Sequence, residues 1–350
     1  MYYSSGNYEA FAHPAKPEGI EDKSAYIVGT GLAGLTAACY LIRDAQMDGS
    51  RVHIFERDAV PGGACDGWEY PQIGFTMRGG REMDNHFEVM WDLFRSIPSI
   101  EDESMSILDY YYRLNKQDPN YSLCRATVNR GEDAGLDNTF GLSDKACMEI
   151  MNLFFTPEEQ LDDKAITDYF SDDVLDSNFW LYWRTMFGFE NWHSALEMKR
   201  YIQRFVHHVG GLPDFSALRF TRYNQFESLI LPTVNYLKGH GVQFHLNTEV
   251  VDVTFSSTEE RKVATEVQTI CEGAPKAFHL SENDLLFITN GSCVANSSFG
   301  SQDEPAQFNT VLEPGTGFDL WRRIARQDPS FGRPEKFIGD PEKSNWMSAT

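Results

Sequence analysis

A glycine-rich turn at residues 29–34, GTGLAG, constrains the fold of this chain more than any other feature. The turn matches the pattern G-x-G-x-x-G, and it stands between an apolar stretch at residues 25–28 and helical apolar spacing at residues 35–42. A second strand-like stretch follows and ends in the acidic Glu56. Strand, turn, helix and strand in this order predict an α/β fold with a βαβ unit of the dinucleotide-binding type.

Each glycine of this turn has its own expected role in binding a dinucleotide. Gly29 permits the tight turn, Gly31 lets the backbone approach a pyrophosphate, and Gly34 lets the helix pack close to the strand. The helix that starts here offers free N–H groups and the positive end of its dipole to the diphosphate. The residues at this helix start that we expect to contact the cofactor are Leu32 and Ala33.

The residues after the second strand favour FAD over a nicotinamide dinucleotide, which binds to the same kind of turn. We expect Glu56 to accept hydrogen bonds from an adenosine ribose, and its charge would repel a 2′-phosphate. Gly62 and Gly63 complete an E-x5-GG pattern that resembles flavoproteins of the glutathione-reductase and amine-oxidase type. The stretch FITNGS at residues 287–292 resembles the T-x-G segment of that type, with Ile288 in place of the usual alanine. NAD stays open as the alternative cofactor.

The composition argues against several classes of protein. The 30 basic and 52 acidic residues give a formal net charge of −22, whereas nucleic-acid binding needs clustered Lys and Arg. The 6 scattered cysteines form no C-x-x-C pair, so we predict no disulfide framework and no zinc site. The N-terminal residues do not resemble a secretory signal, and no apolar run is long enough to span a bilayer. We therefore expect a cytoplasmic protein.

The chain is predicted to divide into an arm and two interleaved domains. Residues 1–23 form the arm, and residues 24–110 with 223–350 form a discontinuous dinucleotide-binding domain. Residues 111–222 form a helix-rich substrate domain between the two halves. Apolar spacing and capping residues predict helices over 83–95, 143–155, from Thr156 onward, 194–211 and 226–238. Alternating apolar and polar residues predict a hairpin or two short strands over 241–255, and an apolar run predicts a strand at the start of 283–292.

Two further clusters are expected to be structural. The preferred interpretation of the aromatic residues of 178–192 is that they lie in the core. The second interpretation is that they line an acyl-chain channel. His207 and His208 suggest a metal, but adjacent histidines on a helix point apart and no carboxylate completes a ligand set. We therefore predict no metal site.

Long strings of sequence resemble one known family in far more detail than these short motifs. The strings are RGGREMDNHFEVMWDLFRSIPS (78–99), YSLCRATVNRGEDA (121–134), FWLYWRTMFGFENWHSALEMKRYIQRF (179–205) and HHVGGLPDFSALRFTRYNQFESLILP (207–232). They resemble the fatty acid hydratases, also known as myosin-cross-reactive antigens, and the resemblance runs through essentially the whole chain. It implies an FAD-binding Rossmann-like domain of the glutathione-reductase type with an inserted, mainly helical substrate domain.

The same resemblance implies a reaction and the residues that perform it. That family binds FAD and adds water across a cis double bond of an unsaturated fatty acid, such as oleate or linoleate. It implies that Glu82 activates the water, that Tyr201 donates the proton and that Gln225 lies near the substrate. Considered without the family, Arg81 and Glu82 could be a solvated pair at a helix start, and Tyr201 could be a core residue.

The resemblance also implies contacts to the cofactor beyond the glycine-rich turn. These contacts are Arg78, Gly80, Arg81, Glu82, Val251, Thr289, Asn290, Gly291 and Ser292. The glycines between the two arginines would let the backbone lie against the isoalloxazine ring. Hydration involves no net electron transfer, so we expect the flavin to act structurally or electrostatically.

The chain departs from the family in length, and this leaves alternatives open. Family members are considerably longer, so we expect the C-terminal part of the family fold to be missing here. By resemblance a homodimer is expected, with transient membrane contact to collect the fatty acid. The alternatives are a flavin oxidoreductase, of the desaturase or amine-oxidase kind, and a non-catalytic remnant that binds FAD or lipid.

Overall fold

The structure is a computed structural model of the 350-residue chain. It describes residues 12–72, 74–78, 82–121, 123, 127–216, 218–258, 260–291, 297–301, 303–310, 317–337 and 340–345. Three predicted cofactor contacts, Gly80, Arg81 and Ser292, lie outside these residues.

Strands and helices are mixed in the N-terminal part of the described chain, helices dominate the middle, and five consecutive strands precede the last helices. The strands are β1 (Ala25–Val28), β2 (Val52–Phe55), β3 (Gly67–Tyr70), β4 (Gly74–Met77), β5 (Thr127–Val128), β6 (Glu132–Asp133), β7 (Gln243–His245), β8 (Thr248–Ser257), β9 (Lys262–Cys271), β10 (Ala274–His279) and β11 (Leu285–Ile288). The α-helices are α1 (Leu32–Arg43), α2 (Glu88–Phe94), α3 (Ile107–Gln117), α4 (Asp144–Phe155), α5 (Ile166–Tyr169), α6 (Asp172–Leu175), α7 (Asn178–Phe187), α8 (Ala195–Phe205), α9 (Leu231–Gly239), α10 (Gly317–Gln327) and α11 (Pro341–Ser344).

A parallel sheet in the order β11-β1-β2-β7 carries the glycine-rich turn. Its central strand β1 pairs in parallel with β2 and with β11, and all of its residues are buried. Strands buried on both faces are typical of parallel sheets that helices cover. The predicted α/β class and its βαβ unit, formed by β1, α1 and β2, are therefore confirmed.

The stretch 241–255 forms two strands in different sheets, which was the second of the two predicted arrangements. β7 joins the parallel sheet beside β2, whereas β8 pairs antiparallel with β9, which pairs with β10. Asn247 lies between them with a positive φ of 51°, a left-handed conformation that asparagine tolerates and that redirects the chain. The antiparallel sheet packs against α10, where Val253 and Val267 meet Leu320 and Ile324 in one apolar cluster.

Helices α4 to α8 enclose a separate apolar core in the middle of the chain. Trp180 and Trp183 of α7 are almost fully buried in it, which confirms the core position predicted for these aromatic residues, whereas Trp192 of the same stretch is exposed. The preceding helix α3 belongs to the other core, where Tyr111 stacks on Trp91 with ring centroids 4.1 Å apart. The predicted domain boundary after residue 110 falls inside α3, and the division into domains stays a prediction.

Several predicted helix limits differ from the structure for local reasons. The helix predicted from residue 83 begins only at Glu88, because Met83 forms a β-bridge with Arg219. No α-helix begins at Thr156, because its N–H and hydroxyl both donate to the Asn152 carbonyl and so end α4. A single 3₁₀ turn, Glu158–Gln160, follows.

Two other predicted helices change their type along their length. The helix predicted to close at residues 210–211 is α-helical to Phe205 and continues as a 3₁₀ segment, Val206–Gly211. The helix predicted over 226–238 begins as one π turn, Phe226–Ile230, and continues as α9 with Pro232 in its first turn. Among the described residues, the helices are too short or too polar to cross a membrane.

Candidate functional site

A cavity of about 670 Å³ opens where the carboxyl ends of β1, β2 and β11 meet the start of α1. This position is the usual ligand site of open α/β sheets, and the volume is in the usual range for small-molecule sites, about 300–1,000 Å³. The predicted cofactor residues that line the cavity are Gly29, Gly31, Leu32, Ala33, Glu56, Gly62, Gly63, Arg78, Val251, Thr289, Asn290 and Gly291. The structure thus brings together residues from both ends of the chain.

The glycines of the turn differ in what surrounds them. Gly34 does not line the cavity, and an ideal Cβ built on it would lie 2.1 Å from the Gly29 carbonyl oxygen. Only a glycine therefore allows α1 to pack this close to the end of β1. A Cβ on Gly31 would meet no heavy atom within 4 Å, so its backbone faces open space in the cavity wall.

Glu56 is tied to the glycine-rich turn through Thr30, a contact that the sequence motifs did not reveal. Glu56 Oε2 accepts from the Thr30 N–H at 3.0 Å and from the Thr30 hydroxyl. The same hydroxyl oxygen accepts from the Gly62 N–H at 3.2 Å. Thr30 is fully buried, and it joins the turn, the acidic strand end and the glycine pair into one hydrogen-bonded unit.

Cationic side chains line the cavity from two sides. Arg78 donates from Nε to Asp66 Oδ1 at 2.8 Å, and this hydrogen bond raises the pKa of the guanidinium above its usual value. Arg323 of α10 also lines the cavity, and its Nη1 donates to the Val251 carbonyl at 2.6 Å. Sequence reasoning missed Arg323, because α10 matches no motif, although the spacing of Leu320 and Ile324 indicates a helix there.

The cavity wall also holds a polar atom without a partner. Asn290 donates from Nδ2 to the Gly317 carbonyl at 2.7 Å, but its buried Oδ1 accepts no hydrogen bond from the described part of the chain. A buried polar atom left unsatisfied costs free energy, so such an atom in a cavity wall is available to a bound group.

The three predicted catalytic side chains lie on separate elements, outside the residues that line the cavity. Glu82 is exposed and directly precedes the buried Met83. Tyr201 is half-buried on α8, edge-on to the ring of Phe189 at 5.1 Å. Gln225 is buried, with 3% of its surface exposed, at the start of the π turn.

The segments of Glu82 and Tyr201 nevertheless meet, through Asp84. Asp84 is buried, and its Oδ2 lies 3.3 Å from Nη1 of Arg204, which is one turn beyond Tyr201 on α8. Arg204 also donates from Nη2 to the His86 carbonyl at 3.0 Å. The structure therefore places the Glu82 segment against the carboxyl end of the Tyr201 helix.

The prediction that His207 and His208 point apart, and that no carboxylate completes a ligand set with them, is wrong. Their ring centroids lie 4.0 Å apart, because the chain here is a 3₁₀ segment and not an α-helix. Asp84 Oδ1 lies 3.2 Å from His208 Nε2, and Oδ2 lies 3.8 Å from His207 Nε2. Asp84 is distant in sequence, so spacing alone could not reveal this carboxylate.

Charge balance at Asp84 favours its ionised form. Burial by itself raises the pKa of this carboxyl. The His86 N–H, which donates to Oδ1 at 2.8 Å, acts with His208 and Arg204 to outweigh burial, and the pKa is lowered. The Asp84 carboxylate therefore lies among polar groups of two segments, His86 on its own side and Arg204 and His208 on the other.

Comparison with known proteins assigns the chain to a family. Residues 22–350 match the MCRA family. This chain belongs to the MCRA family. The resemblance inferred from the long sequence strings is thereby confirmed, and the Asp84 contacts lie within three of those strings.

Curated relatives of this MCRA chain are hydratases. It is 49% identical over 351 residues to an oleate hydratase of Streptococcus pyogenes serotype M49 (strain NZ131), a match that covers 100% of this chain and 59% of that protein. It is 30% identical over 349 residues to a linoleate hydratase of Lactiplantibacillus plantarum, a match that covers 93% of this chain and 61% of that protein. The MCRA chain thus spans about three fifths of the length of these relatives.

Solved structures resemble the MCRA chain only distantly. A crystal structure of a fatty acid isomerase from P. acnes that produces CLA has 15% identity and a TM-score of 0.44, covering 77% of this chain and 59% of that one. An oxidoreductase from Methanosarcina mazei has 14% identity and a TM-score of 0.47, and the match covers 77% of this chain and 60% of that one. Similarity at this level says nothing about the reaction, so the functional argument depends on the site and on the family.

Proposed function

We propose that this chain binds FAD and hydrates the cis double bond of an unsaturated fatty acid, converting oleate to 10-hydroxystearate. The observation that carries the proposal is the 49% identity to an oleate hydratase over 100% of this chain, which includes the segments of Glu82 and Tyr201. The cavity at the glycine-rich turn supports the cofactor.

The residues of the cavity fit a dinucleotide. The turn at Gly31 presents backbone that no side chain covers, next to the N-terminus of α1, where N–H groups attract a diphosphate. Glu56, Arg78 and Arg323 line the cavity, where Glu56 would accept from a ribose hydroxyl and the two arginines would supply positive charge to an anionic cofactor. The unsatisfied Asn290 Oδ1 gives the bound group a further acceptor. We therefore infer that these residues hold the FAD.

The proposed reaction is an addition of water in which no electrons are transferred overall. The bound flavin would supply a fixed, polar surface beside the substrate. Tyr201 would give its phenolic proton to one alkene carbon, forming a C–H bond and leaving positive charge on the neighbouring carbon. An alkene is a poor base and a phenol a weak acid, so alignment in a water-poor site must lower the barrier.

Glu82 would complete the addition. Its carboxylate would accept a proton from water as the water oxygen forms the C–O bond at the cationic carbon, and its charge would stabilise that cation. Glu82 then releases its proton to solvent, and Tyr201 takes up a proton from solvent. Overall, one alkene and one water give one alcohol. Gln225 is proposed to contact the substrate near this point.

The direct test uses the purified chain with FAD, a reductant and oleate in water enriched in heavy oxygen. We expect 10-hydroxystearate that carries the heavy isotope, detected by mass spectrometry. Peroxide or NAD(P)H turnover in proportion to substrate would favour a flavin oxidoreductase instead. Binding of FAD or oleate without any product at high protein concentration would indicate a non-catalytic binding protein.

The assembly and the location of the protein are also proposals. We propose a homodimer in the cytoplasm that takes its fatty acid from membranes during transient contact. The relatives' names support oleate and linoleate as substrates. Sedimentation and vesicle flotation of the purified chain test the dimer and the membrane contact.

A further inference from the structure

We propose that Asp84 is a positioning residue, which with Arg204 and His208 fixes the segment of Glu82 against the end of the helix of Tyr201. The inference rests on the proposed function, because positioning matters only if Glu82 and Tyr201 act on one substrate. The cluster is separate from the cofactor cavity, since Asp84, Arg204 and His208 are not among the residues that line it.

The backbone on the Glu82 side of the cluster is held at successive points. Met83 follows Glu82 directly, and its N–H donates to the Arg219 carbonyl at 2.8 Å while its carbonyl accepts from the Arg219 N–H at 3.2 Å. The Asp84 carbonyl accepts from the indole Nε1–H of Trp91 at 2.9 Å. Hydrogen bonds to Arg219 and Trp91 thus hold residues 83 and 84, and these residues constrain the position of the adjacent Glu82.

The contacts on the Tyr201 side come from the same helix and its 3₁₀ extension. Arg204 reaches the segment twice, with Nη1 3.3 Å from Asp84 Oδ2 and with Nη2 donating to the His86 carbonyl at 3.0 Å. His208 Nε2 lies 3.2 Å from Asp84 Oδ1. The His86 ring also meets the His207 ring edge-on, with centroids 5.1 Å apart.

The same residue types can bind a metal ion, but the charges here favour an internal link. Ligand atoms of Asp84, His207 and His208 all lie within 4.8 Å of one another. The Arg204 guanidinium already faces Asp84 Oδ2, and its positive charge would repel a divalent cation bound at that oxygen. The buried Asp84 thus faces a protein cation on the partly exposed Arg204, and the ion pair joins two segments.

The test compares Asp84→Asn with a matched variant, Asp92→Asn. Asp92 is also a largely buried carboxylate, with a side chain 14% exposed, and it accepts from Arg43 at 2.7 Å and from Arg95 at 2.8 Å, but its partners are not on α8. Both changes keep the side-chain volume and remove one charge. Arg204→Gln is a second variant, chosen because Arg204 is 38% exposed and glutamine keeps part of its aliphatic stem.

We expect Asp84→Asn and Arg204→Gln to lower kcat for oleate about tenfold to a hundredfold, with the KM for oleate and the Kd for FAD within about twofold of wild type. Asp92→Asn should leave kcat unchanged. A general loss of structure would instead raise KM and Kd together with the fall in kcat, and that result would count against a positioning role. An unchanged kcat in both cluster variants would overturn the proposal.

Amide hydrogen exchange tests the link without any turnover. Asp84→Asn should speed exchange in residues 83–90 and also in residues 204–210, whereas Asp92→Asn should leave residues 204–210 unchanged. Unchanged exchange at 204–210 in Asp84→Asn would overturn the proposal. If wild type hydrates no oleate, the proposed function fails for this chain, and the exchange measurement still decides whether the two segments are linked.

Discussion

The Thr289 hydroxyl donates to the Val28 carbonyl at 2.8 Å, and the Thr289 N–H donates to the same oxygen at 3.0 Å. These bonds join the end of β11 to the end of β1 immediately before the glycine-rich turn. An ideal Cβ on Gly29 would lie 2.9 Å from Thr289 Oγ1, so the turn is shaped by this distant residue as well as by its own sequence. The proposed cofactor site therefore forms only when both ends of the described chain are folded together.

Gly34→Ala should destabilise the turn and weaken FAD binding. The added Cβ would lie 2.1 Å from the Gly29 carbonyl oxygen, so α1 must shift away from β1. We expect a loss of about 1–3 kcal/mol in the free energy of unfolding, measured by urea denaturation. The matched control is Gly239→Ala, where no heavy atom lies within 4 Å of the new Cβ. Equal stability of the two variants would contradict the close packing of helix and strand.

Glu56→Gln should weaken FAD binding while the fold remains. The carboxylate accepts from the Thr30 N–H at 3.0 Å and from the Asp58 N–H at 3.1 Å, and it lines the cavity. A hydrogen bond to a charged group contributes about 1.5–3 kcal/mol, so we expect the Kd for FAD to rise at least about tenfold. Glu282→Gln, at an exposed carboxylate outside the cavity, should leave the Kd unchanged. A Kd that rises equally in both variants would argue against a specific role for Glu56.

Tyr201→Phe should abolish hydration and preserve the cofactor site. The change removes only the phenolic oxygen, and the ring keeps its edge contacts with Phe187 and Phe189. General acid catalysis contributes roughly a hundredfold to ten-thousandfold, so we expect kcat to fall by that factor at an unchanged Kd for FAD. The control is Tyr112→Phe on α3, where the side chain is 63% exposed. Full activity in Tyr201→Phe would assign proton donation to another group.

The free energy of unfolding should fall as the pH is lowered through the range of histidine titration. His53 Nδ1 and His245 Nε2 lie 3.2 Å apart on neighbouring strands, and burial lowers the pKa of both rings. The unfolded chain, with histidine pKa values near about 6.5, then binds more protons than the folded chain below about that pH. Stability contributed by the neutral pair is present above that pH and is lost as the pH falls.

Urea denaturation at pH values above and below that range measures this effect. We expect a smaller loss of stability on acidification in His53→Phe than in wild type. The variant keeps an aromatic ring to stack on Tyr26, whose centroid lies 5.2 Å away, and removes one of the two titrating rings. His13→Gln, at an exposed histidine, should behave like wild type. The same pH dependence in His53→Phe and wild type would show that the pair does not titrate as proposed.

The sequence predicted the nucleotide-binding half of the fold well because its determinants are local. An apolar strand, a glycine-rich turn and an amphipathic helix follow one another within residues 25–43, and each has a recognisable local sequence pattern. The N-cap of α4 was also predicted, since Ser143 accepts from the Ala146 N–H three residues later. The core position of α7 could also be predicted, because this helix is rich in aromatic residues.

The features that the sequence did not reveal are those that join distant segments. Thr30 carries no motif, and its role depends on Glu56 and Gly62 approaching it in space. The start of α2 is delayed by a bridge from Met83 to Arg219, and neither residue signals this locally. The sequence analysis also missed the hairpin of β9 and β10, because most residues of β10 are exposed and its pairing with β9 is visible only in space.

Titration of the folded wild-type chain with FAD, followed by visible absorbance and flavin fluorescence, tests the proposed cofactor site most directly. We predict saturable binding at one FAD per chain, a shifted and structured flavin spectrum, and weaker binding in Gly34→Ala and Glu56→Gln. A flavin spectrum identical to that of free FAD, in a chain whose circular dichroism shows it to be folded, would contradict the site.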